Sequence, residues 1–306
     1  MGKVTILGVF VADTAYRADR PPQMGETILG KSFALGPGGK GSNQAVAAAK
    51  VGADTHFITR LGDDDFAQLA YKTWQPAGVS PSVTVDPESF TGAAYIFIED
   101  RTGNNAIIIC PGAAGNISPQ DLRDNQDLIA GSDIFMTQLE QPVEAAEEGL
   151  RIARDAGVIT ILNPAPAAPL SPSILALCDY ITPNESETEA LTGLPVTSVE
   201  QAAQAAARLV EMGAGRAVIT LGEMGVYLHG PDISAHIPAI IAGPVVETTG
   251  AGDAFNGGFA AALSAGADPL TAARHGVATA GISVTRPGTA PSMPDKAEVD
   301  ALLARS

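Results

Sequence analysis

The 306-residue sequence is short of cysteine, of positive charge and of long apolar runs, and each shortage removes a class of protein. Its two cysteines, Cys110 and Cys178, are too few for a disulfide framework and lack the CxxC spacing of a zinc or redox site. A reducing cytoplasm is the expected compartment. Lys and Arg total 18 against 34 Asp and Glu, a formal net charge of -16, and a field of that sign repels nucleic-acid phosphates and anionic lipid. Neither nucleic acid nor a membrane is an expected partner. No stretch approaches the roughly 18 apolar residues of a membrane span. The apolar run after Lys3 stops at Ala12-Asp13, too short and wrongly flanked for a signal peptide. His56, His229, His236 and His275 show no i, i+3 or i, i+4 pairing, so a helical metal motif is absent. No repeat of 20 to 50 residues suggests a solenoid or propeller.

What is present is 45% hydrophobic and 17% charged, the balance of a globular enzyme. Apolar, β-branched runs at 4–11, 56–61, 133–139, 158–162, 180–182 and 217–221 read as buried parallel strands. Ala-rich segments of helical spacing lie between them, at 41–52, 142–157 and 199–213, and further helices are expected at 250–265, 269–285 and 295–304. Strand and helix alternate, which predicts an α/β fold: a mostly parallel central sheet flanked by helices, Rossmann-like in layout. Two stretches break the rhythm with alternating residues and turn dipeptides. They predict a small β lid from residues 14–35 and 90–110, set on an α/β catalytic domain of residues 1–13, 36–89 and 111–306.

Ligands of open α/β sheets bind beyond the carboxyl ends of the strands. Several predicted strands end in, or lead directly to, polar residues: Asp13, Glu140, Asn163, Asn184 and Thr220. Each alone reads as a helix cap or loop residue, but their recurrence at one edge predicts a shared polar crevice. Two glycine-rich segments join them. Gly36-Pro37-Gly38-Gly39-Lys40-Gly41-Ser42-Asn43-Gln44-Ala45 is not a Walker A loop, because Ala34 stands where a glycine is required and Gly41 where Ser or Thr would hold magnesium. Gly250-Ala251-Gly252-Asp253 opens a helix marked by Phe255, Phe259 and Leu263, and its unpaired N–H groups form an anion site. A carboxylate among such amides is suited to taking a proton from an attacking hydroxyl.

This pair of motifs resembles the ribokinase-like family of sugar kinases, and the likeness extends over nearly the whole chain. Thr137-Gln138-Leu139-Glu140, Asn163-Pro164-Ala165-Pro166, Thr182-Pro183-Asn184-Glu185 with Glu187, Ile219-Thr220-Leu221-Gly222 and Val284-Thr285-Arg286-Pro287-Gly288 match its motifs in order. The resemblance implies Mg2+- and ATP-dependent phosphorylation of a primary sugar hydroxyl, O5 of ribose in the first instance. The alternative is another pentose, deoxyribose, a ketohexose or a nucleoside. It implies Asp253 as general base in an anion hole of Gly250, Ala251, Gly252 and Asp253. Sugar contacts are implied at Asp13, Gly39, Lys40, Asn43, Glu140 and Asp253, and nucleotide contacts at Asn184, Thr220, Gly222 and Gly252. Glu187 is expected to arrange Mg2+ through water, helped by Asn184. Glu247, Thr249, Val284, Gly288 and Ser292 are expected to hold an activating K+. A homodimer through the lid is also expected.

Three residues depart from the family pattern. Val11 replaces a usual Asn, which predicts a pocket more tolerant of sugars altered at one hydroxyl. Glu247 replaces a usual Asp at the cation site, and Val277 a frequent Asn beside the nucleotide. Two rival classes fit less well. A dinucleotide-dependent oxidoreductase would need GxGxxG after the first strand, and a silent sugar-binding module would not need Asp253.

Overall fold

Strands that are buried on both faces must be apolar throughout, and the central runs of this sequence are. In the computed structural model, which describes residues 1–306, they assemble a nine-stranded sheet. Its parallel part runs from β11 (Arg216–Thr220) through β10 (Tyr180–Ile181), β9 (Ile159–Leu162), β8 (Ile134–Thr137), β1 (Lys3–Leu7) and β4 (Asp54–Leu61) to β5 (Ser80–Val85). An antiparallel hairpin, β12 (Val226–Gly230) and β13 (Ile233–Ile237), extends the far edge. No helix is long and apolar enough to cross a membrane.

The expected single strand at 4–11 is two strands, because the chain leaves the large sheet at Gly8. It re-forms as β2 (Val11–Ala18) of a second, four-stranded sheet with β3 (Ser32–Gly38), β6 (Thr91–Glu99) and β7 (Asn105–Gly112), in the order β3-β2-β6-β7. These strands lie on the two predicted excursions and run a few residues past their limits. Asp13 consequently sits inside β2, opposite Gly36 and Ala94, and not at the end of a large-sheet strand. Strands β5, β12 and β13 have no counterpart among the predicted runs. β5 is a partly exposed edge strand containing Pro81, and the hairpin alternates in burial and forms no continuous apolar run.

Two helices carry the glycine motifs, Lys40–Lys50 and Ala251–Ser264. Alanines at 45, 47, 48 and 49 favour the first helix. Trp74, fully buried, anchors it by donating its indole N–H to Ser42 Oγ at 2.8 Å while packing edge-on against Phe10 and Phe57. The second helix buries Phe255, Phe259 and Leu263 and lies against the first. Only a glycine fits at 257, since a Cβ there would stand 2.4 Å from the Ala47 methyl. This close crossing sets the distance between the two motifs.

Candidate active site

The first turn of the Ala251–Ser264 helix begins at Gly250, which offers no capping side chain. The Ala251 N–H bonds to Thr248 O at 3.1 Å, whereas the N–H groups of Gly252 and Asp253 have no partner. They are the orphan donors of a helix start and favour an anion. Asp253 is buried beside them. Its Oδ2 accepts from Asn43 Nδ2 at 3.0 Å and its Oδ1 from Gln44 Nε2 at 3.1 Å. Burial raises the Asp253 pKa above the ordinary carboxylate range, and the Lys40 charge with the two amides offsets this only in part.

Across the cleft stands Lys40. Burial works against its ammonium, but the charges of Asp253, Glu140 and Glu187 outweigh that effect and hold its pKa above the usual value. Gly39 places the turn that starts this helix. Its φ of 90° belongs to glycine, and a Cβ would meet Val9 O at 2.4 Å. Glu140, just past β8, accepts from the Lys40 backbone N–H at 2.7 Å, and burial pushes its pKa up to about 7. Asp13 comes down from β2 with its carboxyl against Gly38, and burial raises it to about 6. Val11 lies on the same face of β2, buried in an apolar cluster with Leu7, Val9 and Ala94.

The other wall is made by Asn184, Glu187 and Thr220. Asn184 Oδ1 accepts from the Glu187 N–H at 2.8 Å and Glu187 Oε2 from the Asn184 N–H at 2.9 Å, so the NxxE motif is a capping box of the helix Glu185–Thr192. Both side chains also line the cleft. Glu187 is buried and its pKa is raised by that burial, against the Asn184 N–H and Lys40. Thr220 donates its N–H to Pro183 O at 2.9 Å, and Gly222 follows on the exposed rim.

The cleft enclosed by Lys40, Asn184, Glu187, Thr220, Gly250, Gly252 and Asp253 measures about 150 Å³ and is completed by Asn163, Ala165, Thr182 and Asn256. Asp13, Gly39, Asn43 and Glu140 border its Lys40 side without lining it. Ala251 takes the helix turn, and its N–H is not free. The residues expected at the cation site lie on the segments 247–249 and 284–292, which hydrogen bonds join at Glu247. Gly288 N–H donates to Glu247 Oε2 at 2.8 Å, buried Ser292 donates to Thr289 O, and Thr249 is exposed. The Val284 carbonyl accepts both the Val246 and Glu247 N–H groups, which leaves Glu247, Thr249, Gly288 and Ser292 as the freer oxygens. Val277 belongs to the main core. Gln44, Gln138, Thr182 and Asn256 were assigned no role from sequence, yet all four touch the site network. A larger cavity of about 790 Å³, lined by Pro238, Ile240, Ile241, Leu270, Arg274 and Arg305 among others, shares no residue with the cleft and has no Asp or Glu side chain.

Such a site can bind an anion on backbone amides, hold hydroxyls on carboxylates and remove a proton with Asp253. The description "pfkB family carbohydrate kinase" matches residues 1–296. A ribokinase of Haemophilus influenzae is 37% identical over 296 residues, covering 96% of each chain. A deoxyribokinase of Salmonella typhimurium is 34% identical over 95% of each. A solved structure of an Arabidopsis thaliana ribokinase complexed with ribose and ATP superposes with a TM-score of 0.93 at 32% identity, covering 100% of this chain and 99% of that one. The chain belongs to the pfkB family of carbohydrate kinases. It is a phosphotransferase with an alcohol group as acceptor.

The raised pKa of Glu140 has a measurable consequence. Because the folded state favours its neutral acid, the stability gained from that proton is full below the ordinary value of 4.5 and is lost as pH rises through about 7. Glu140→Gln should therefore be more stable than the parent at pH 8, and the gap should close toward pH 5, in urea unfolding at both pH values. A gap independent of pH would remove Glu140 from the titrating groups.

Proposed function

We propose that the chain transfers the γ-phosphoryl group of ATP to O5 of D-ribose. The observation that carries this reading is Asp253, buried in the first turn of an uncapped helix beside the free N–H groups of Gly252 and Asp253 and facing Lys40. Asp13, Asn43, Glu140 and the Gly39-Lys40 turn hold the sugar hydroxyls and present O5 to Asp253. Asp253 takes the hydroxyl proton as the new O–P bond forms, and ADP leaves with the electrons of the broken bond. The N–H groups of Gly252 and Asp253 and the Lys40 ammonium receive the charge that gathers on the phosphoryl oxygens.

The cleft is smaller than the roughly 300–1,000 Å³ of pockets that enclose a whole drug-sized ligand. The nucleotide base thus extends over Thr220 and Gly222 at the rim. Glu187, whose Oε1 accepts no hydrogen bond from the protein, would hold Mg2+ through water, helped by Asn184, whose Oδ1 already accepts from the Glu187 N–H and from Ser186 Oγ. When bound, Mg2+ would offset the charge of the phosphate oxygens. Glu247, Thr249, Gly288 and Ser292 form an all-oxygen set suited to K+, and Glu247 already ties the two segments through Gly288. The four-stranded sheet acts as the lid over the sugar, formed by the excursions 14–35 and 90–110 from the domain of residues 1–13, 36–89 and 111–306. It excludes water that would otherwise accept the phosphoryl group. The exposed thiol of Cys110 suits a cytoplasmic setting.

The lid also supports a homodimer. Leu35, Phe33, Tyr16, Tyr95 and Ile108 share one face by strand register, and each is 37–62% exposed. The rings of Tyr16, Phe33 and Tyr95 cluster at 5.1 and 5.4 Å on that face. β7 adds an uncovered edge. An apolar patch of this kind marks an association surface.

ADP release should be fastest with ribose in a panel that includes 2-deoxyribose, other pentoses, fructose and adenosine; preference for another acceptor would replace ribose in this reading. Asp253→Asn should lower kcat by about 10²- to 10⁴-fold with nucleotide affinity kept within a few-fold, and near-normal turnover would remove the base. Activity should be higher in K+ than in a bulky organic cation at matched ionic strength, and equal rates would dismiss the cation site. Light scattering at micromolar concentration should give the mass of two chains, and Tyr16→Glu should halve it; a monomeric parent would reject the lid dimer.

A further inference from the structure

Behind Asp253 lies a chain of buried amides that the reaction as written does not use. Gln44 and Gln138 are both fully buried. Gln44 Nε2 donates to Asp253 Oδ1 and to Asn163 Oδ1, each at 3.1 Å, and Gln44 Oε1 accepts from Gln138 Nε2. Gln138 Oε1 is then left buried with no donor. An amide can be turned end for end, so the direction of this chain needs a cause. Turning Gln44 would set its oxygen against two other oxygens, Asp253 Oδ1 and Asn163 Oδ1. Its N–H group must therefore face the carboxylate, its oxygen must face Gln138, and the mismatch is pushed to the far end as the orphan acceptor. The polarity of the chain is fixed at two points, the Asp253 carboxylate and the Asn163 oxygen, whose own amide is turned by its bond to Thr182 O.

The same chain returns to the anion site. Asn163 Nδ2 donates to Thr182 O at 2.8 Å, Thr182 Oγ1 to Asn256 Oδ1 at 2.6 Å, and Asn256 Nδ2 to Gly252 O at 2.9 Å. Carboxylate and anion-hole backbone are thus held by one circuit that starts on strand ends of the large sheet.

We propose that Gln44 is a positioning residue that keeps Asp253 ionised and aimed at the acceptor hydroxyl, with Gln138 fixing the direction of the Gln44 amide. Hydrogen bonds to the charged form favour it, and here they oppose a strong penalty of burial. The inference rests on Asp253 being the base. The charged groups facing Asp253 are Lys40 on its partner helix, Glu140 after β8 and Glu187 on the neighbouring helix, with Asp13 beyond Glu140; none is altered in the test.

The test is the pH dependence of kcat and KM with ribose and ATP for the parent, Gln44→Leu, Gln138→Leu and Asp253→Asn. Gln44→Leu should move the acid limb of kcat upward by about half a unit or more and lower kcat at neutral pH about 10- to 100-fold. Both KM values should stay within about threefold, and activity should recover in part at high pH. Gln138→Leu, which does not touch the carboxylate, should shift the limb the same way by less. A Gln44→Leu enzyme with the parent's profile overturns the proposal. So does a loss of equal size at every pH, which is the mark of a packing defect, or a rise in KM alone. Should Gln44→Leu fail to give the parent's circular dichroism spectrum, Gln138→Leu decides, and an unshifted limb there is fatal. An active Asp253→Asn enzyme removes the base itself. An inactive one beside an unshifted Gln44→Leu removes only the role of Gln44.

Discussion

The constraint on which the site depends is the burial of one carboxylate. Taking Asp253 out of water costs several kcal/mol unless donors replace the water it loses. All three donors or charges that answer it come from a single helix, at Lys40, Asn43 and Gln44. Their i, i+3, i+4 spacing puts them on one face, one turn deep. The position of that face is set by Trp74 bonding Ser42 from behind and by the Gly257–Ala47 contact, which allows the two helices to approach. A packing decision behind the cleft therefore fixes the distance between the Asp253 carboxylate, the Lys40 ammonium and the unpaired N–H groups of Gly252 and Asp253.

Around that carboxylate the charge balance is unusual for a protein that binds a polyphosphate. Asp13, Glu140, Glu187 and Asp253 face one lysine, in a chain with a net charge of -16. Two features lessen the repulsion. Burial raises the pKa of all four carboxyls, and at Asp13 and Glu140, raised to about 6 and about 7, part of the negative charge is absent near neutral pH. The unpaired N–H groups of Gly252 and Asp253 carry a fixed partial positive charge suited to an anion and need no counter-ion. Lys40, kept charged by the same carboxyls, is then the one mobile cation of the chain in the cleft.

Much of this was legible before the structure because it is local. The glycine motifs, the NxxE sequence and the polar residues following apolar runs are readable within a few positions, and the parallel strands announce themselves by being apolar on both faces. What escaped was either weak locally or not local at all. Asp13 seemed to end a strand because the apolar run continues through Gly8, and nothing in the sequence shows that the chain changes sheets there. β5 and the β12–β13 hairpin are short, half-exposed edges with little hydrophobic signal. Gln44 stands in plain sight inside the first motif, but its meaning lies in partners 94, 119 and 209 residues away. No periodicity encodes such separations.

The small sheet joins these layers. β1 leads into β2 through only residues 8–10, and β3 runs through Gly39 directly into the helix of Lys40, Asn43 and Gln44. Thr289 Oγ1 donates to Pro37 O at 2.9 Å, binding the end of β3 to the segment that contains Gly288 and Ser292. One face of β2 carries Asp13 against Gly38, while the opposite face carries Tyr16 into the exposed aromatic cluster. Because successive residues of a strand point to opposite faces, these two surfaces cannot move independently. Any partner that orders the outer face of the sheet also orders Asp13, and through β3 it holds the first turn of the helix that keeps Asp253 in place.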